Sequence, residues 1–168
     1  MNNKLYVVIA LVVLAFAGGI ILSNQNNKQD NNRNGASNDT VSQAEGATLD
    51  LTNNQLTSLP ESVLSRDDIT TLDLSNNQLT GLPEGIGRLD KLEVLIVENN
   101  RLESLPSEIS QLKNLRELRL NNNRLNNLPI ELDGMTWLEY LDISGNVNLT
   151  EERIQQIKSK LTTTEVKT

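Results

Sequence analysis

Asp50, Asp73 and Asp142 stand at multiples of 23 residues from one another, each between two aliphatic residues. Carboxylates held in register can act as acid–base groups or ligate a cation. Here the series is broken by Ile96 and Arg119 at the two intervening places. Along a sheet the three would form part of an exposed ladder and would not converge on a substrate. The chain also has no His and no Cys. Cys₂His₂-type zinc sites, His-dependent triads and thiol nucleophiles are therefore excluded, and disulfides with them. No catalytic residue, metal or cofactor is expected, and the chain reads as a non-enzyme.

The remaining chemistry is recognition. Asp and Glu number 22 against 15 Lys and Arg, giving a net charge of -7. A nucleic-acid partner needs a concentrated basic face, which this composition does not supply. Aromatic residues make up 2% of the chain, and only Trp137 and Tyr140 lie outside its N-terminal apolar run. The same count argues against a base-stacking platform.

The elements that must position any binding residue are set by a repeat. Leu49, Leu72, Leu95, Leu118 and Leu141 are each 23 residues apart. Leu51, Leu74, Val97, Leu120 and Ile143 follow two residues later, and Asn54, Asn77, Asn100, Asn123 and Asn146 follow at five. Further leucines recur before Pro60, Pro83, Pro106 and Pro129, which are all the prolines in the chain. A fixed period of this size implies stacked units. Two apolar residues separated by one point to the same face of a strand. The Asn after them suits a sharp turn, and its amide can both donate to and accept from buried peptide groups. Proline then fixes φ where no ladder hydrogen bond is needed. Stacking buries leucines that a single coil would expose, at about 1.5–3 kcal/mol each.

At these residues the chain strongly resembles the leucine-rich repeat family, in its 23-residue form with an L-P-x-x-[IVL] segment, over about residues 48–150. The resemblance implies an α/β solenoid of about five right-handed coils. Short parallel strands would line a concave face, with helical or irregular turns on the convex side. The Asn column would be a structural ladder. Beyond it, residues 151–161 place Ile154, Ile157 and Leu161 on one helical stripe behind Thr150 as N-cap, which predicts a C-terminal capping helix. Residues 162–168 read as a disordered tail.

Exposed strand positions form columns across the concave face. The first two coils are nearly identical there, and the later coils differ. Val94 and Ile96 place apolar side chains where water is expected, near Glu98, Arg101, Glu117, Arg119, Arg124 and Tyr140. An apolar centre ringed by Arg and Tyr is the composition of a protein-binding hot spot. A plainer reading is that Val and Ile suit strands and that Arg119 pairs with Asp142 on the next one. Glu93, Arg116 and Glu139 alternate in sign and read as a solvated charge ladder.

Residues 5–22 form an apolar run without a charged or amide side chain, and Lys4 precedes it. As a helix it would span about 27 Å, close to a bilayer core. Residues 1–22 read as a transmembrane anchor, with a cleaved signal peptide ending at Ala15-Phe16-Ala17 as the alternative. Residues 23–47 read as a disordered, Asn-rich linker. Asn38-Asp39-Thr40 and Asn148-Leu149-Thr150 are sequons that matter only in a eukaryotic secretory host. The positive charge ahead of the run favours an extracytoplasmic repeat domain. The reading is a membrane-tethered module that binds another protein through its concave face, with self-association at the uncapped first coil left open. The alternatives are a secreted protein that recognises a surface glycan, and a spacer without a specific partner.

Overall fold

A computed structural model describes residues 46–168. The candidate anchor and most of the linker lie outside these residues. Within them no helix is long and apolar enough to cross a membrane.

Six parallel strands form one sheet in chain order: β1 Ala47–Asp50, β2 Ile69–Asp73, β3 Val94–Ile96, β4 Glu117–Arg119, β5 Tyr140–Asp142 and β6 Glu165–Lys167. The register follows the repeat, with Leu49 beside Leu72, Leu72 beside Leu95, and so on to Leu141. After β1 the return segment carries a short helix, α1 Glu61–Leu64. After β2, β3 and β4 it carries 3₁₀ turns at Glu84–Arg88, Ser107–Gln111 and Ile130–Gly134. A proline precedes each of these four segments in extended conformation. Its fixed φ and missing N–H suit the first step out of a strand-like stretch.

The repeat leucines make one continuous core, and Leu72, Leu95 and Leu118 are wholly inaccessible to solvent. The Asn column runs through it. Asn77, Asn100, Asn123 and Asn146 are buried, and each serves the coil on its N-terminal side. The Asn100 amide donates to Leu74 O at 2.9 Å and Val97 O at 3.3 Å, while its oxygen accepts from Leu79 N at 3.0 Å. Val97 O also accepts from Asn123, and Leu120 O from both Asn123 and Asn146. The buried carbonyls are thus shared between successive ladder residues. Among the described residues no coil precedes that of Asn54; this residue is only partly buried, and its amide donates to Thr52 O in its own coil.

The turn divides between two residues the tasks that the sequence suggests for one. The ladder Asn supplies the amide, whereas the left-handed backbone falls on the residue before it. Asn53, Asn76, Asn99 and Asn122 have φ between 55 and 58°, and Gly145 takes φ 72° in the fifth coil. Asparagine tolerates this region better than other side-chain-bearing residues. At Gly145 a Cβ would come within 2.3 Å of Asn122 Oδ1, so a side chain there would have to displace that amide.

The C-terminal end is closed by two elements. Helix α2, Glu151–Lys160, starts at Thr150, whose side chain accepts from Arg153 N. Arg153 ties it to the fourth return segment through an ion pair with Asp133 at 2.7 Å and hydrogen bonds to Leu128 O and Pro129 O. Both side chains of that ion pair are 10% exposed. The second element corrects the expected disordered tail: residues 165–167 are strand β6, which extends the sheet beyond β5. Glu165 N donates to Glu139 O and Ile143 N to Lys167 O, so this strand satisfies the edge of β5.

Candidate functional site

The exposed strand positions are held by backbone pairing on both sides. Val94 and Ile96 alternate with fully buried Leu95 on β3 and are themselves half-buried. On one side they face Thr71 and Asp73, on the other Glu117 and Arg119. They are the apolar interruption in an otherwise polar face.

The carboxylates of this face have local work. Asp50 Oδ1 accepts from Thr52 N at 2.9 Å. Asp73 Oδ1 accepts from both the N–H and the hydroxyl of Ser75, and Asp142 Oδ1 does the same with Ser144. Each Asp closes the end of its own strand in an Asx arrangement. Among the described residues no group of three or more acidic, His or Cys side chains is placed to hold a metal ion.

Arg119 sits at the centre of the later coils. Its guanidinium donates to Glu117 Oε1 and lies 3.8 Å from Glu98 Oε1. It also stands 5.7 Å from the centroid of the Tyr140 ring. The hydrogen bond to Glu117 holds its pKa above the usual value, against the effect of burial. The Arg119–Asp142 pair suggested by the sequence does not form, because two glutamates take the arginine and β6 brings Lys167 to the aspartate at 2.8 Å. Burial alone would raise the Asp142 carboxyl, but hydrogen bonds from Lys167 and Ser144 outweigh it and hold the group below its ordinary range. Asp142 in turn raises Lys167, and the Tyr140 hydroxyl is raised by burial and by the same carboxylate, to which it donates at 3.4 Å. Glu98 also accepts from the Asn121 amide at 3.2 Å, while Asn121 Oδ1 is buried without a partner.

The structure therefore joins Glu98, Glu117, Arg119 and Tyr140 in one network beside Val94 and Ile96. Arg101 and Arg124 are not part of it; they are exposed on the turns beyond the ladder asparagines. Arg116 and Glu139 form the expected solvated pair, at 3.5 Å with both side chains largely exposed. Sequence reasoning missed Lys167, whose role depends on a strand with no repeat signature. It also missed Val147, 90% exposed, although counting six residues from Leu141, as from Leu118 to Arg124, finds it directly.

Comparison with known proteins agrees with this geometry. The leucine-rich repeat region family matches residues 68–164, and a leucine-rich repeat match covers residues 47–66. Among solved structures, a leucine-rich repeat protein of Leptospira interrogans is similar, with a TM-score of 0.65 and 38% sequence identity. The match covers 68% of this chain and 29% of that one, so the chain corresponds to under a third of that protein's length. No curated protein matches the chain. Domains of this type are generally protein-interaction modules and typically not enzymes. Repeat spacing, shared-carbonyl ladder and family match together identify the chain as a member of the leucine-rich repeat family.

Proposed function

We propose that this protein recognises another protein through the strand face of its repeat domain, held at a membrane by residues 5–22 with that domain on the extracytoplasmic side. The observation that carries the reading is the half-buried pair Val94 and Ile96. These apolar side chains occupy positions that are Thr and Asp in the two preceding coils. The neighbouring arginine is already held by two glutamates. A partner that covers the pair gains apolar burial without first having to break a hydration shell around a free charge. Self-association through the outer edge of β1 belongs to the same proposal as a second, weaker contact.

A photo-crosslinking residue placed at position 94 or 96 of the full chain, in its native membrane, tests this. One partner protein should be captured from both positions and not from position 131 on the opposite side. V94S/I96S should abolish capture while changing stability little. Leu95→Ala, pointing inward, should cost about 2–5 kcal/mol of stability. Equal capture from all three positions would overturn the strand-face reading. Release of the chain by an alkaline wash would overturn the anchor.

A further inference from the structure

Most arginines in the described residues have a carboxylate partner. Arg66 pairs with Asp68, Arg88 with Glu61, Arg116 with Glu139, Arg119 with Glu117 and Arg153 with Asp133. Arg101 and Arg124 are the only arginines among the described residues that make no ion pair. They hold equivalent places in the third and fourth coils, six residues after paired Leu95 and Leu118. Two like charges are therefore carried on adjacent coils, neither of them in an ion pair. Val147, 90% exposed, follows the ladder residue Asn146 at the corresponding sequence position, where the chain leaves the extended path in a turn. The first two coils have Gln55 and Gln78 at the equivalent place.

The backbone beneath is fixed. Gln78 N donates to Leu56 O, Arg101 N to Leu79 O and Arg124 N to Leu102 O. Each arginine directly follows a buried ladder residue, Asn100 or Asn123. Next to the column, the Asn122 amide donates to Asn99 Oδ1 across the coils. The arginines therefore rise from a rigid strip, so binding costs the ordering of two side chains and little backbone entropy.

We propose that this strip, outside the strand face, is a second contact surface, and that it takes an acidic segment of a protein partner. Carboxylates of the segment pair with Arg101 and Arg124, and an apolar side chain covers Val147. The planar guanidinium fork matches a carboxylate bidentately. The exposed valine favours a polypeptide over a purely ionic polymer, because only the polypeptide offers an apolar group beside its charges. This surface is independent of Val94 and Ile96.

The test is fluorescence anisotropy of a labelled Glu-Ser-Glu-Ser-Leu peptide titrated with the full chain in neutral detergent. The peptide should bind, and binding should weaken as salt screens the pairs. R101Q/R124Q should weaken it about tenfold or more. V147S should weaken it without changing the salt dependence, and R88Q should leave it unchanged. All these side chains are exposed, so the variants should retain the parent circular dichroism spectrum. Peptide binding that R101Q/R124Q leaves intact, or no peptide binding at all, overturns the proposal. A labelled heparin fragment that binds in place of the peptide, through the arginines and without regard to V147S, also overturns it in favour of an anionic polymer.

Discussion

Asn100 shows how one side chain can serve two coils. Its amide donates to carbonyls of the second and third coils, and its oxygen accepts from the second. Replacing it with Ala would strand Leu79 N in the core, since Leu74 O and Val97 O keep bonds from Asn77 and Asn123. One orphaned donor and two weakened acceptors should cost about 2–3 kcal/mol. Asn54→Ala should cost about 1 kcal/mol or less, because that half-exposed amide reaches only Thr52 O. Urea unfolding of the two variants checks the difference, and equal losses would mean that the ladder's direction is immaterial to stability. The repeating Asn was legible in the sequence as a structural residue. Its direction was not, because a periodic column is the same read either way. The separation of amide duty from left-handed backbone was hidden for a related reason: N-N pairs at 53–54, 76–77, 99–100 and 122–123 present two candidates for one turn.

At the scale of elements, β6 is the addition that the sequence concealed. Glu165 lies 25 residues after Tyr140, outside the 23-residue register, and Glu-Val-Lys offers a single apolar residue. Polar flanks and one valine read as a tail. What draws the segment onto the sheet is the exposed edge of β5 and the carboxylate of Asp142, neither of which is visible in the segment's own composition. The capping helix was legible because its signals are local: Thr150 as N-cap and a stripe at helical spacing. The link from Asp142 to Lys167 makes the docking of β6 pH-dependent. The Asp142 carboxyl is held below its ordinary value. Its stabilising effect is therefore complete above the unfolded value of about 3.9. It is lost as pH falls below that point and through the folded value. Lys167 is raised, so its share is complete below about 10.4 and is lost above the folded value. The strand should be secure at neutral pH and loosen in acid below about pH 4. NMR signals of the Val166 methyls should move toward free-chain values over that acid range in the parent. In Asp142→Asn they should already be shifted at neutral pH. Methyl signals unmoved by both acid and the substitution would show that backbone pairing and the packing of Val166 on the core hold β6 without the ion pair.

For the whole molecule, contacts between neighbouring coils imply stability that varies along the stack. In a repeat array each unit gains from its two interfaces, and end units gain less unless they are capped. The two ends here are unequal. Beyond β5 stand β6 and α2, the latter fixed by the part-buried Arg153–Asp133 pair. Among the described residues the sheet ends at β1 and no earlier coil offers Asn54 a carbonyl, and Leu56 is only partly buried. Gln55 also takes φ 57°, a left-handed residue that no later coil needs at that place. The first coil should thus open locally at lower free energy than the middle of the stack. Native-state amide exchange tests this on equivalent strand-end donors. Leu51 N bonds Asp73 O, Leu74 N bonds Ile96 O, Val97 N bonds Arg119 O and Leu120 N bonds Asp142 O. Protection should rise from Leu51 through Leu74 to Val97 and Leu120, and Ile143, covered by β6, should lie well above Leu51. Asp142→Asn should lower protection at Ile143 while leaving Leu51 unchanged, because four coil interfaces separate them. Uniform protection along the series would show instead that the stack opens as one cooperative block, with the end of the sheet at β1 as secure as its middle.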